Sequence, residues 1–203
     1  MKKEKYNKPK ISINKVYTKS GDGGDTYIVG GHKVSKSSLR IESFGIIEEL
    51  VSSFGSCIVI IAALNDVKVI LISNYLHRLQ HELFNLGNML STLEKDYSAS
   101  MPQVNEADLE YMEKIIDEIN VNLPSLDSFV LPGGSELNVR FHQARTLCRR
   151  CERTIISLSK KEEINSIIIP YINRLSDLLF VLSRWANIYF NKEENTWNPN
   201  YKK

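Results

Sequence analysis

The chain has 203 residues, of which 42% are hydrophobic and 25% are charged, and its formal net charge is +2. These values are typical of a single soluble globular domain with one sizeable core, and they exclude a disordered or fibrous protein. The small net charge also argues against a protein dedicated to nucleic acid, which would carry a strongly basic surface.

The cysteines and the chain ends bear on the compartment. Cys57, Cys148 and Cys151 form no disulfide framework, and the C-x-x-C pair lacks a second pair to complete a zinc site. The basic stretch from Met1 to Tyr6 has no apolar segment of a secretory signal. The longest apolar run, 57–64, is too short to span a bilayer, which needs about 20 residues. We expect a cytoplasmic protein that does not enter membranes, or a mitochondrial or other organelle-matrix protein if a targeting segment has been removed.

In chain order, the sequence predicts a flexible basic tail, a helical domain and a polar tail that frays, over 1–15, 16–191 and 192–203. The glycine-rich stretch from Tyr17 to Ser38 contains too many breakers for regular structure. Apolar spacing then predicts helices over 41–64, 67–92, 106–121, 135–158 and 163–190, with no strand between them. Asn105 and Ser135 are candidate N-caps, and Pro170 marks the start of the last helix or a kink. These helices predict an all-α bundle of antiparallel neighbours.

The fourth helix carries four arginines within nine residues, from Arg145 to Arg153. Arg145, Arg149 and Glu152 stand at i, i+4 and i+7, so they project to one side of the helix. Guanidinium groups match phosphate oxygens, and Glu152 is placed to orient its arginine neighbours. We interpret this surface as a polyphosphate site. The alternative is a solvated face of ion pairs.

The loop from Thr18 to Thr26 combines glycines, hydroxyls and Lys19. Glycines let backbone amides approach an anion, and the side chains add donors. These features are typical of an anion-binding loop, although the pattern is not that of a Walker A loop. The alternative interpretation is an ordinary turn or hairpin.

Two further patterns lie within predicted helices. Asn173 and Asp177 stand one turn apart in the last helix. Asparagine and aspartate are unfavourable inside a helix, so their placement indicates a functional role. The alternative is a surface ion pair between Arg174 and Asp177. His77 and His81 have metal-compatible spacing but no third ligand, so we interpret them as structural.

Five motifs together resemble the ATP:cob(I)alamin adenosyltransferases of the propanediol-utilisation type. They are Tyr17–Thr26, Phe44–Leu50, Phe129–Gly134, Ala144–Arg153 and Asn173–Asp177, in the family's order over about residues 16 to 190. The resemblance implies a five-helix bundle of the ferritin-like, cobalamin adenosyltransferase-like type. It also implies a homotrimer that binds ATP between subunits, with magnesium, and that takes cob(I)alamin or cob(II)alamin as second substrate.

The resemblance also implies roles for individual residues. The glycine loop would bind ATP through Thr18, Lys19, Ser20, Gly21, Asp22, Gly24 and Thr26, with Lys36 as a further phosphate contact. A neighbouring subunit would complete the site through Arg149, Arg150, Glu152 and Arg153, and Asn173 matches a nucleotide contact. Phe129 would occupy the corrin site and displace the lower axial base, Arg145 is our candidate for stabilising the departing triphosphate, and Glu48 would pair with Arg145 across the interface. Two positions depart from the family: Glu48, where aspartate is usual, and Val51, where a polar residue is common.

The leading prediction is therefore an enzyme that transfers the 5′-deoxyadenosyl group of ATP to the cobalt of a reduced corrinoid and releases triphosphate. Cobalt in cob(I)alamin is already a strong nucleophile, so the protein has to position reactants and stabilise charge without a general base. The implied partners are a reductase that supplies electrons to cob(II)alamin and an adenosylcobalamin-dependent mutase, with no nucleic acid. The alternatives are a corrinoid-binding carrier with weak or no turnover, and a bundle whose charged patches serve assembly or nucleic-acid contact.

Overall fold

A computed structural model describes residues 17–201, and within them five long helices form one bundle. The helices are α1 (Leu39–Ala62), α2 (Ile70–Leu90), α3 (Glu106–Asn120), α4 (Glu136–Ser159) and α5 (Ile168–Tyr189). The predicted all-α, five-helix architecture is confirmed. The predicted tail over 1–15 lies outside the described residues.

α4 is the central helix of the bundle. It packs against α5 on one side and α1 on the other, while α2 covers α1 and α3 covers α5. The helices bury apolar side chains at spacings of three and four residues, and the fully buried ones include Leu50, Leu83, Phe141 and Leu179. Burial of each such side chain contributes roughly 1.5–3 kcal/mol, so the helical periodicity of the sequence is what closes the bundle.

α1 is more apolar than its packing in one chain requires. Its most apolar 18-residue stretch has a mean hydropathy of 1.8, yet only 39% of that stretch is buried. By length and composition alone this helix could cross a membrane, but the core helix of a globular protein has the same composition. Val59 of α1 and Phe84 of the adjoining α2 are exposed at 70% and 67%. One subunit therefore presents an uncovered apolar surface along α1 and α2.

Two small antiparallel sheets lie outside the helices, which contradicts the expectation of no strands. β1 (Asp25–Tyr27) pairs with β2 (Lys33–Ser35), and β3 (Val130–Leu131) pairs with β4 (Asn195–Thr196). Strands of two or three residues are too short to show alternation in sequence. The hairpin also corrects the prediction that 17–38 lacks regular structure, and β4 shows that the C-terminal tail, expected to fray, is partly paired.

Two helices begin later than the sequence predicts. The residues Val67–Val69 form a 3₁₀ turn before α2. α5 begins at Ile168, where the backbone and side-chain oxygens of Asn165 accept bonds from Ile168 N and Ile167 N. Pro170 is the third residue of α5, where its missing N–H costs no helical hydrogen bond, so it marks the start of the helix.

Asn105 caps α3, as predicted, and its replacement by alanine is expected to cost about 1 kcal/mol of stability. The Asn105 side chain accepts from Ala107 N at 2.9 Å, while Asp108 accepts from Asn105 N at 3.1 Å, which completes a capping box. Urea denaturation of Asn105→Ala tests this, with Asn120→Ala at the other end of α3 as control. A denaturation midpoint equal to that of the wild type would show that the cap contributes nothing.

Candidate active site

The glycine-rich loop leads into β1 at the open end of the β1–β2 hairpin, where bonds from Lys36 close it into a ring. Lys36 Nζ donates to the carbonyl oxygen of Gly21 at 2.7 Å, and Lys36 N donates to Gly24 O at 2.9 Å. Gly24 has φ 88°, a left-handed conformation that favours glycine. The hydroxyls of Thr18 and Ser20 lie 2.7 Å apart on the exposed side of the loop. The loop therefore combines an exposed ammonium group and two hydroxyls in a preformed turn.

The hairpin is held to the end of the bundle where α2 finishes. Val29 N donates to the carbonyl oxygen of Ser91 at 2.9 Å, and the His32 and Asp96 side chains are hydrogen-bonded at 2.7 Å. Just after the hairpin, the buried Arg40 donates to backbone oxygens that follow α2. These contacts fix the position of the loop before any ligand binds.

The arginines of α4 differ in their contacts. Arg149 and Arg153 are exposed, whereas Arg150 forms an ion pair of 2.5 Å with Glu49 of α1. The predicted polyphosphate surface thus offers two exposed guanidinium groups, those of Arg149 and Arg153. The guanidinium of Arg150 already pairs with Glu49, so a bound anion would share it with that carboxylate.

Asn173 and Glu152 form a contact between α5 and α4. Asn173 Nδ2 donates to Glu152 Oε1 at 2.8 Å, so these two predicted site residues meet. The neighbouring Arg174 pairs with Glu113 of α3 and with Asp177, at 3.0 and 3.1 Å. Asn173 therefore faces the arginine helix, while Arg174 and Asp177 form the surface ion pair that was the alternative interpretation.

A cavity of about 640 Å³ lies beside the N-terminal half of α4, whereas Arg149 and Arg153 lie in its C-terminal half. Its lining is mainly apolar and includes Leu126, Phe129, Val130, Val139 and Phe180, together with His142 and Arg145. The Arg145 guanidinium lies over the Phe180 ring, 5.4 Å from its centroid, and Arg145 Nε is buried with no hydrogen-bond partner. Arg145 therefore belongs to this cavity, while Arg149 and Arg153 are not among its lining residues.

Two buried asparagines hold the turn that follows Phe129. Asn187 of α5 donates to Gly133 O at 2.9 Å and accepts from Ser135 N, while Asn138 of α4 accepts from Gly133 N at 2.9 Å. Gly134 has φ 91°, and a Cβ there would lie 2.7 Å from Asn187 Oδ1. Neither Asn138 nor Asn187 was predicted as a site residue, although asparagine inside a helix was the signal that singled out Asn173.

The C-terminal segment packs against Phe129, whose side chain is 77% exposed. Trp197 N donates to Phe129 O at 2.7 Å, Ser128 Oγ donates to Trp197 O at 2.7 Å, and the two aromatic rings are 6.2 Å apart. Arg184 of α5 holds the segment through an ion pair of 2.8 Å with Glu194. Trp197 therefore stabilises Phe129 at the mouth of the cavity, a contact between distant positions that no local pattern reveals.

Glu48 lies on a different surface from Arg145. It is exposed on α1, in a groove that Phe44, Val51 and Phe84 also line. The predicted pair of Glu48 with Arg145 thus does not form within one chain.

The comparison with known sequences decides the family. A sequence profile for cobalamin adenosyltransferases matches residues 16–186. The chain belongs to the cobalamin adenosyltransferase family. This confirms the resemblance that the five motifs carry.

Individual relatives of this adenosyltransferase cover most of its length. A corrinoid adenosyltransferase from Bacillus subtilis is 39% identical over 178 residues, which are 85% of this chain and 86% of that protein. A cobalamin adenosyltransferase from Cupriavidus metallidurans is 39% identical over 179 residues, with coverage of 86% and 89%. Among solved structures, a variant PduO-type ATP:corrinoid adenosyltransferase from Lactobacillus reuteri, complexed with cobalamin and ATP, is 34% identical with a TM-score of 0.82. That alignment covers 90% of this chain and 99% of the other.

The cysteines of the adenosyltransferase are expected to be unreactive at pH 8. All three are buried, and burial raises the pKa of Cys57 and of Cys151 to about 12 and that of Cys148 well above its usual value. A raised pKa keeps the thiol protonated, and the thiolate is the nucleophile. A thiol reagent such as dithionitrobenzoate is expected to label no cysteine in the folded protein and all three after denaturation. Rapid labelling of the folded protein would contradict this packing.

Proposed function

We propose that the chain transfers the 5′-deoxyadenosyl group of ATP to the cobalt of cob(I)alamin, forming adenosylcobalamin and triphosphate. The observation that carries this is the arrangement along α4. One end of the helix lines an apolar cavity with Phe129 and Arg145, and further along it exposes Arg149 and Arg153. An apolar cavity suits a corrin face, and exposed guanidinium groups suit a polyphosphate. A single rigid helix thereby sets the distance between the two substrates.

The chemistry fits a site that has cations and no positioned general base. Cobalt attacks the 5′ carbon of ATP, the bond from carbon to the triphosphate oxygen breaks, and the electron pair leaves with the triphosphate. No proton has to be removed from the nucleophile, so the protein contributes orientation and stabilisation of the departing charge. Arg145 lines the corrinoid cavity with its Nε buried, and it is assigned to this role.

The ATP site lies between subunits of a homotrimer. The exposed glycine loop with Lys19 and Lys36 binds the nucleotide, and Arg149, Arg150 and Arg153 of a neighbour bind its phosphates. The uncovered apolar surface of α1 and α2 supports this assembly, because such surfaces mark sites of association. Glu48 lies on that surface, which supports a pair with Arg145 of another subunit.

Phe129 occupies the lower face of the corrin. Its ring is exposed at the cavity mouth and is held from behind by Trp197. An apolar ring in the place of the lower nitrogen ligand leaves cobalt with weaker axial donation, which eases reduction of cob(II)alamin.

Magnesium, partners and compartment complete the proposal. Magnesium binds through the ATP phosphates, since within 17–201 no cluster of three or more His, Cys, Asp or Glu is placed to hold a metal ion. A reductase supplies the electron, an adenosylcobalamin-dependent mutase receives the product, and three free buried cysteines suit a reducing compartment such as the cytoplasm.

The test is the anaerobic visible spectrum of the protein with chemically reduced cobalamin, followed after addition of ATP and magnesium. Loss of the cob(I)alamin band and growth of a light-sensitive alkylcobalamin spectrum are expected. A corrin spectrum that shifts on binding without turnover would replace the enzyme by a corrinoid carrier, and an unchanged spectrum would refute both.

A further inference from the structure

Two buried nitrogens without a hydrogen-bond partner belong to residues that line the same cavity. Within residues 17–201, four buried side-chain atoms have no hydrogen-bond partner, and they belong to Ser43, Tyr75, His142 and Arg145. Of these, His142 Nε2 and Arg145 Nε belong to residues that line the Phe129 cavity. A buried polar group without a partner is unfavourable. Glu48 of another subunit is the proposed partner of Arg145, whereas the Nε2 of His142 indicates a ligand that supplies the missing bond.

The imidazole of His142 is held in place by its neighbours. Only 6% of the residue is exposed, and its ring lies edge-on to Phe180 with 6.4 Å between centroids. Arg145, three residues further along α4, lies over the same ring. Phe180 therefore contacts both His142 and Arg145, and His142 cannot turn to solvent without leaving its packing.

The charges around His142 keep its ring neutral. Burial lowers the pKa of His142, the adjacent Arg145 lowers it further, and Glu194 of the C-terminal segment acts in the opposite direction. Glu194 is itself paired with Arg184 of α5, so its opposing effect is limited. A neutral imidazole is matched to a neutral polar group, whereas a phosphate would call for a cation.

We propose that His142 Nε2 hydrogen-bonds an amide side chain on the rim of the corrin ring and so sets how the corrinoid lies in the cavity. The inference rests on the proposed function, because it takes the Phe129 cavity as the corrinoid site. Corrin rims carry neutral acetamide and propionamide groups, which both donate and accept. His142 is the most deeply buried polar residue that lines this mainly apolar cavity, so its hydrogen bond selects the rotation of the corrin ring.

The experiment compares His142→Leu and His142→Phe, which remove the nitrogen, with His142→Gln, which keeps a hydrogen-bonding group. The dissociation constant for cob(II)alamin is measured by anaerobic visible titration without turnover, and KM for ATP is measured separately. Each apolar variant is expected to bind cob(II)alamin about tenfold more weakly with KM for ATP unchanged, and the glutamine variant to bind as the wild type does. His77→Leu, on the exposed face of α2, is the matched control and should change neither.

A second corrinoid identifies which part of the ligand His142 contacts. Cobinamide has the corrin amides but lacks the nucleotide loop, so the apolar variants should lose the same factor for cobinamide as for cobalamin. A loss confined to cobalamin, apolar variants that bind like the wild type, or a glutamine variant as weak as the leucine variant would overturn the proposal. Failure of both apolar variants to fold would make His142 a structural residue and overturn it too. Wild-type turnover is scored separately, so failure of the proposed function is distinguished from failure at His142.

Discussion

Replacing Arg145 by alanine is expected to lower kcat by roughly 10²–10³-fold, the loss seen when one preorganised donor to a developing oxyanion is removed. Arg145 is the cation of the Phe129 cavity, and Phe180 holds its guanidinium from one side. Its buried Nε has no partner in one chain, and a pair with Glu48 of another subunit would hold the guanidinium in position for the charge that appears on reaction. Because this charge develops in the transition state, the effect should fall on kcat more than on KM for ATP.

Two variants give this prediction its controls. Arg145→Lys keeps the charge but loses the planar fork, so it should recover only part of the rate. Arg140→Ala, five residues earlier on α4, removes an exposed arginine whose partner is Glu136, and it should leave kcat unchanged. Turnover is followed by the appearance of alkylcobalamin under saturating ATP. Near-normal kcat in Arg145→Ala would transfer the leaving-group role to another cation.

Much of the fold follows from local patterns that the sequence displays openly. The apolar spacing of each long segment predicted all five helices, and Asn105 and Ser135 cap α3 and α4 as expected. Apolar spacing predicted that the last helix begins at residue 163, whereas α5 begins at Ile168. Pro170 marked the start more accurately, because proline is favoured in the first turn of a helix. These features depend on neighbours within one or two turns, which is why one sequence suffices to find them.

Only those site residues that belong to a sequence motif could be predicted. The loop and the arginine helix stand out by composition, and Phe129 was named only through the family resemblance. Asn187 and Trp197, in contrast, act on residues more than fifty positions away. His142 has no partner motif in the sequence. It stands out only in the structure, where its Nε2 lacks a hydrogen-bond partner and the residue lines a cavity formed by three separate segments. Such contacts depend on tertiary packing, which local pattern does not encode.

A buried polar network on the far side of the bundle gives the second large effect. Glu82 of α2 accepts from the hydroxyl of Tyr171 at 2.6 Å and from Arg78 Nε at 2.5 Å. Tyr171 is fully buried, and burial together with Glu82 raises its pKa well above the usual value, so it remains a donor. Arg78 also pairs with Asp108 of α3, so the carboxylates of Glu82 and Asp108 together link α2, α3 and α5.

Glu82→Ala is expected to lower the free energy of unfolding by about 1–4 kcal/mol. The Tyr171 hydroxyl would be left buried without a partner, which costs about 1–3 kcal/mol. Loss of the pair with Arg78 adds less, at most about 1 kcal/mol, since Arg78 is partly exposed and keeps Asp108. Urea denaturation at one fixed protein concentration measures the change, because assembly of subunits would make the midpoint depend on concentration.

Glu82→Gln separates the two contributions. Glutamine still accepts from Tyr171 through its carbonyl oxygen but carries no charge for Arg78, so its loss should be well below that of alanine. Glu82 does not line the Phe129 cavity, and folded Glu82→Gln should therefore retain wild-type kcat and corrinoid affinity. If alanine and glutamine cost the same, the Tyr171 hydrogen bond contributes nothing and the ion pair with Arg78 dominates. If neither costs stability, α2 and α5 are held together by apolar packing alone, and the network does no more than satisfy the polar groups that the bundle encloses.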